Sequence, residues 1–123
     1  MLYAILCYNS EDVVCAWSRE EDAAVMEKLA AVQRPLAEAG KLGPVARLMP
    51  TTSATTLRKT KDEPIVIDGP FAETKEQFLG FYVVDVASLD EALGIARDLA
   101  KANPGTGSYE IRPVMAFFEQ GRV

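Results

Sequence analysis

Histidine is missing from the 123-residue chain. Its absence removes the commonest general base and the commonest metal ligand together. Cysteine is scarce. Cys7 and Cys15 stand eight positions apart, which fits neither a C-x-x-C redox motif nor a zinc pattern. The usual ligand sets cannot be assembled from one such chain, so no zinc or other transition metal is expected, a weak carboxylate site for magnesium being left open, and no cofactor is expected. Cys7 lies in an apolar run and reads as a small buried hydrophobe, while Cys15 reads as a loop thiol with no feature that would lower its pKa. Long hydrophobic runs are lacking too, and none approaches a membrane span. Residues 2–8 are apolar but short, lack a preceding basic region and are followed by Glu11 and Asp12. They do not read as a targeting signal, and the cytoplasm is the expected location. Positive charge is in deficit, with 13 Lys and Arg against 18 Asp and Glu. The net charge of −5 disfavours a phosphate backbone as partner. The compact basic cluster Arg58-Lys59-Thr60-Lys61 runs straight into Asp62-Glu63 and reads as a solvated hairpin tip.

What is present is ordinary globular composition, 49% hydrophobic and 25% charged, in a length suited to one domain over residues 1–123. No repeat, low-complexity tract or linker interrupts it. Residues 2–8 read as a strand closed by Asn9-Ser10-Glu11-Asp12. Ser18 and Glu21 form a capping box. The helix behind it carries Val25, Leu29, Val32 and Leu36 on one face, with Gly40 as its stop. Pro35 is expected to kink or split that helix near Ala31. Residues 45–49 read as a short strand and residues 51–58 as a further extended piece. Ile65-Val66-Ile67 is the return strand of a hairpin. Residues 78–86 form a strong strand. Ser88 and Glu91 make a second capping box, followed by a helix burying Leu89, Ala92, Leu93, Ala96, Leu99 and Ala100. Asn103-Pro104-Gly105 ends it, and residues 109–112 are the last strand.

This order predicts an α+β fold: a ferredoxin-like (split βαβ) antiparallel sheet with two helices on one face. Pro113 then falls on an edge strand, where a missing N–H is tolerated. The strands do not alternate apolar with polar. Tyr3, Ile5 and Cys7 oppose Leu2, Ala4, Leu6 and Tyr8, and Phe78, Tyr82, Val84 and Val86 oppose Leu79, Phe81 and Val83. Both faces need cover and the helices supply it for one, so a second copy packed sheet to sheet is expected.

The most distinctive segment is Asp68-Gly69-Pro70-Phe71-Ala72-Glu73-Thr74-Lys75-Glu76. It resembles the D-G-P-F-x-E-x-K-E signature of the DGPF subgroup of YCII-related proteins. The likeness extends to Ala39-Gly40-Lys41-Leu42, Gly80-Phe81-Tyr82-Val83-Val84, Leu89-Asp90-Glu91-Ala92 and Glu110-Ile111-Arg112-Pro113-Val114. It implies a dimeric ferredoxin-like α/β barrel of bacterial context, often beside or fused to an extracytoplasmic-type sigma factor. Other YCII-related proteins have been proposed to use a histidine and aspartate pair. That pair cannot be carried over, and Leu29 lies near where the histidine would fall.

In the motif, Gly69 supplies a positive backbone dihedral, Pro70 fixes the next one, and Phe71 is expected to anchor the turn in the core. Asp68, at the end of a strand expected to be buried, is the candidate acid or base. Glu73, Lys75, Arg112 and Tyr82 are candidate substrate-binding residues, and Arg47 is a further anion clamp or surface ion pair. Two functions follow. One is a small-molecule-binding homodimer, with proton-transfer or lyase-like chemistry in a pocket between sheet and motif loop. The other is a non-catalytic interaction or regulatory module serving a sigma factor.

Overall fold

The computed structural model describes residues 1–118. Its elements in chain order are β1 (Leu2–Asn9), α1 (Glu11–Cys15), α2 (Arg19–Glu38), β2 (Leu42–Arg47), β3 (Thr55–Arg58), β4 (Ile65–Asp68), β5 (Gln77–Asp85), α3 (Leu89–Ala102) and β6 (Ser108–Pro113). A single 3₁₀ turn, Thr51–Ser53, precedes β3. The fold is mixed α+β. Four strands form one antiparallel sheet in the order β2-β5-β1-β6, and β3 and β4 form a separate two-stranded sheet. The four-stranded sheet is open, with β2 and β6 at its edges. Pro113 closes the edge strand opposite Tyr3, where its missing N–H leaves no inner ladder broken.

The first capping box forms fully. The Ser18 hydroxyl accepts from the Glu21 N–H at 3.0 Å, and the Glu21 carboxylate accepts from the Ser18 N–H at 3.0 Å. Gly40, at φ 71°, ends α2, and the Lys41 N–H returns to the Leu36 carbonyl at 2.8 Å. The second box is half made. The Ser88 hydroxyl accepts from the Glu91 N–H, but the Glu91 carboxylate turns to the Ala87 N–H and to Lys41. α2 runs unbroken through Pro35. The proline sits in the last turn, and its carbonyl still accepts from the Ala39 N–H. Two strands differ from the sequence reading by more than one residue, and one element is added. β2 begins at Leu42 and ends at Arg47, residues 51–54 turn before β3 begins, and residues 11–15 form a short helix that ends at Cys15.

The core lies between one face of the sheet and α2 and α3. Ile5, Val84 and Leu99 are fully buried there, with Tyr3, Tyr82, Val25, Leu29, Ile95 and Ala96 around them. On α3 the buried stripe takes Ile95 and leaves Leu89 and Ala100 exposed. The other sheet face carries Ala4, Leu6, Tyr8, Phe81 and Val83. Phe78 belongs with them rather than with Tyr82. Cys7 pairs with Gly80 and Tyr8 with Phe78, so Leu79 is an extra residue on β5. This bulge reverses the alternation, and the Tyr8 and Phe78 rings lie 5.5 Å apart.

Candidate functional site

The residues singled out from the sequence do not converge. Asp68 ends β4, but that strand is open to solvent, with Val66 66% exposed. The burial expected for Asp68 fails for a physical reason. A two-stranded hairpin has no second layer of its own, and its apolar side chains point both ways, with Leu57 opposite Val66 and Thr56 opposite Ile67. The turn itself forms as expected. Gly69 adopts φ 105°, its N–H donates to the Ala54 carbonyl at 2.8 Å, and its carbonyl accepts from the Thr56 hydroxyl at 2.8 Å. Pro70 follows half-buried. Phe71 is not a core anchor, being 76% exposed.

Glu73 and Lys75 are exposed on the loop after it. Glu73 borders a broad depression of about 630 Å³ between the motif loop, Met49, and the Tyr8 and Phe78 rings; Asp68 and Lys75 lie outside its lining. Arg112 faces the helix-free side of the edge strand, opposite Ala4. Tyr82 and Arg47 are the proposed binding residues that line a pocket beneath α2.

That space is a cavity of about 170 Å³ on the helix side of the sheet, where α2 lifts off the strands. Cys7 of β1, Tyr82 of β5 and Tyr109 of β6 line its floor, and Met26, Leu29 and Gln33 of α2 form the roof. Cys7 pairs directly with Tyr109 across the ladder. Trp17, just before the Ser18 cap, closes one end. Gly80 lets β2 press against β5, because a Cβ there would overlap the Ala46 carbonyl oxygen. The cavity adjoins an outer groove of about 540 Å³ that shares Val14, Trp17, Arg47 and Leu79 with it.

The electrostatics of the lining are uniform. Burial pushes the Cys7 thiol up to about 12 and the Tyr82 hydroxyl up to about 12, although the Gln33 amide works in the opposite direction on Tyr82. Burial also raises Tyr109, against the effect of the Asn103 amide, which donates to its hydroxyl oxygen at 3.0 Å. All three groups therefore keep their protons at neutral pH. The charged lining residue, Arg47, is held by both oxygens of Asp22 at 2.6 and 3.1 Å. Hydrogen bonding to Arg47 holds the Asp22 carboxyl below its usual range. The arrangement offers hydroxyl, amide and thiol groups over apolar walls, suited to holding a small molecule. It brings no carboxylate and lysine pair together.

Gln33, Asn103, Tyr109 and Trp17 were not candidates from the sequence. A faint signal existed in Trp17, the single tryptophan, placed at a helix start where a polar residue is more usual. Among the described residues no group of three or more Cys, Asp or Glu is gathered to hold a metal ion. No helix among them is long and apolar enough to cross a membrane.

Comparison with known proteins identifies the family. The model of the YCII-related domain matches residues 1–118, and the chain belongs to that family. An uncharacterised protein of Rhizobium meliloti (strain 1021) is 67% identical over 123 residues, covering 100% of this chain and 98% of the relative.

Proposed function

We propose that this protein is a homodimeric small-molecule-binding member of the DGPF subgroup, with ferredoxin-like subunits paired through their helix-free sheet faces into an α/β barrel. The strand order β2-β5-β1-β6, with α2 and α3 on one face, supports the ferredoxin-like reading. The subgroup rests on residues 68–76. The observation that carries binding is the 170 Å³ cavity, comparable with an engineered void of about 150 Å³ that accepts benzene. Binding is favoured over turnover, because Cys7, Tyr82 and Tyr109 all stay protonated near neutrality and a general acid or base works best with a pKa near the working pH.

The dimer is supported by the open face. Leu6, Tyr8, Phe78, Phe81 and Val83 form an apolar stripe, flanked at the β6 edge by Glu110 and Arg112. An apolar centre with a charged rim is the ordinary anatomy of an interface. In this reading Arg112 is a rim residue, and the exposed hairpin of Leu57, Ile65 and Val66 reaches onto the second copy. Light scattering on a size-exclusion column at low micromolar concentration should give twice the 13.4 kDa chain mass. Leu6→Lys should give a folded monomer, because the new ammonium faces Glu110 across the ladder and helps the sheet while spoiling the interface. A monomeric native protein would sink the assembly. The exposed hairpin would then favour an interaction module that takes a different protein partner, the class to which a sigma-factor role belongs.

A further inference from the structure

We infer that the cavity beneath α2 selects an uncharged, single-ring-sized molecule carrying a hydrogen-bonding oxygen, and rejects anions and cations of the same shape. This rests on the cavity being the ligand site, and adds the class of ligand.

Three observations lead to it. The first is size. A space of about 170 Å³ holds a single ring little larger than benzene beneath α2. The second is the set of polar groups. Tyr109 already accepts a hydrogen bond from Asn103, so its own hydrogen is free to be donated inward. Tyr82 lies on the same floor, beneath Gln33 of α2. A hydroxyl hydrogen on the cavity floor calls for an acceptor oxygen on the ligand. No buried side-chain polar atom among the described residues is left without a partner, so the site needs no ion to complete it.

The third observation is charge. The guanidinium of Arg47 is the charged group on the lining, and both Asp22 oxygens already occupy it. An anion entering the cavity finds no free counter-charge, and a cation finds no carboxylate on the wall. Either would lose its hydration with nothing equivalent in return. An uncharged ligand loses little, and gains the apolar contact of Leu29, Met26 and Trp17.

The test uses three probes that share a ring and a one-carbon link and differ in charge: benzyl alcohol, benzoate and benzylammonium. Toluene serves as the ring without a polar group. Trp17 is the chain's single tryptophan and lines the cavity, so its emission, excited beyond the absorption of the probes, reports occupancy. Amide shifts of Gly80 and Tyr82 locate it. Benzyl alcohol should bind at least about tenfold more tightly than either ion, as expected when a charge is buried unpaired. Asp22→Asn should then admit benzoate, because it frees the guanidinium while leaving the cavity wall in place.

Benzoate or benzylammonium binding as tightly as benzyl alcohol to the native protein would overturn the inference and leave the cavity as a ligand site. So would binding of toluene without benzyl alcohol, or an Asp22→Asn protein, folded by circular dichroism, that still refuses benzoate. Failure of all four probes to perturb Trp17 or the Gly80 and Tyr82 amides would overturn both this inference and the cavity as a site.

Discussion

Replacing Cys7 with leucine should make the protein more stable and narrow its cavity. Cys7 is half-buried on the helix-facing side of β1, in line with Tyr3 and Ile5, and its side chain borders the 170 Å³ space. At about 24 cal/mol per Å³, a void of about 170 Å³ would cost roughly 4 kcal/mol if it were sealed and dry. It adjoins an open groove, so that figure is a ceiling. Leucine adds about two methyl-sized groups over cysteine, and at about 0.8 kcal/mol for each buried group the gain is about 1.5 kcal/mol. For a domain of this size the melting temperature should rise by about 5–9 °C. Thermal unfolding followed by circular dichroism measures the gain, and the Trp17 signal of benzyl alcohol binding should weaken in the same variant. The opposite result is equally specific. A loss of about 1–3 kcal/mol is the signature of overpacking, and would mean that the side chains already fill this space in solution.

Four further outcomes follow from the same geometry. Cys15 is exposed and Cys7 is held as the thiol by burial, so brief alkylation at mildly alkaline pH should modify Cys15 alone, as read by peptide mass. Asp22 has its carboxyl held down by Arg47, so it stabilises the fold above its unfolded pKa and loses that contribution as pH falls through the folded value. The pair is partly exposed, so Asp22→Asn should cost about 0.5–1 kcal/mol near neutrality, with the gap from the native protein shrinking in acid. Ser18→Ala removes a hydroxyl that caps α2 and should cost about 1 kcal/mol in urea unfolding. Asp68→Asn should change stability by less than about 0.5 kcal/mol, because Asp68 is exposed and held in the ladder by its backbone; a loss above about 1 kcal/mol would return it to a structural role.

The sequence spoke clearly where one local signal decides the outcome. Ser18 and Glu21 specify a helix start because both partners of the capping box lie within one turn. The same pair at Ser88 and Glu91 gave half a box, because Lys41, from distant sequence, draws the carboxylate away at 2.7 Å. The motif shows the limit of local reading. Asp68-Gly69-Pro70 encodes a turn and the turn forms, but nothing in those residues says what lies beyond it. Apolar strand residues were therefore read as buried, and the chain leaves them exposed. Phe78 was assigned to the wrong face because a single extra residue, Leu79, breaks a period of two. The cavity left no trace at all. Its lining comes from β1, α2, β2, β5 and β6, each side chain reading as ordinary core or edge. The space arises from how those elements fail to meet.

The cavity wall and the open apolar face share one strand. Along β5, Tyr82 and Val84 face the helices while Phe81 and Val83 face the open side. Two devices fix that alternation. Gly80 holds β2 too close for any side chain, and the Leu79 bulge sets the register against β1. A strand pinned on both edges does not slide, and a shift of one residue would exchange cavity and interface side chains wholesale. The motif loop enters β5 directly at Gln77, whose side-chain amide donates to the Thr74 carbonyl at 2.6 Å and whose carbonyl accepts from the Glu11 N–H at 2.8 Å. The Glu76 carboxylate accepts from the Ser108 hydroxyl on β6 at 2.8 Å. The distinctive segment thus ties the start of β5 to α1 and to β6, whether or not Asp68 ever meets a ligand. Its most economical role is to hold the strand that separates the cavity from the open apolar face.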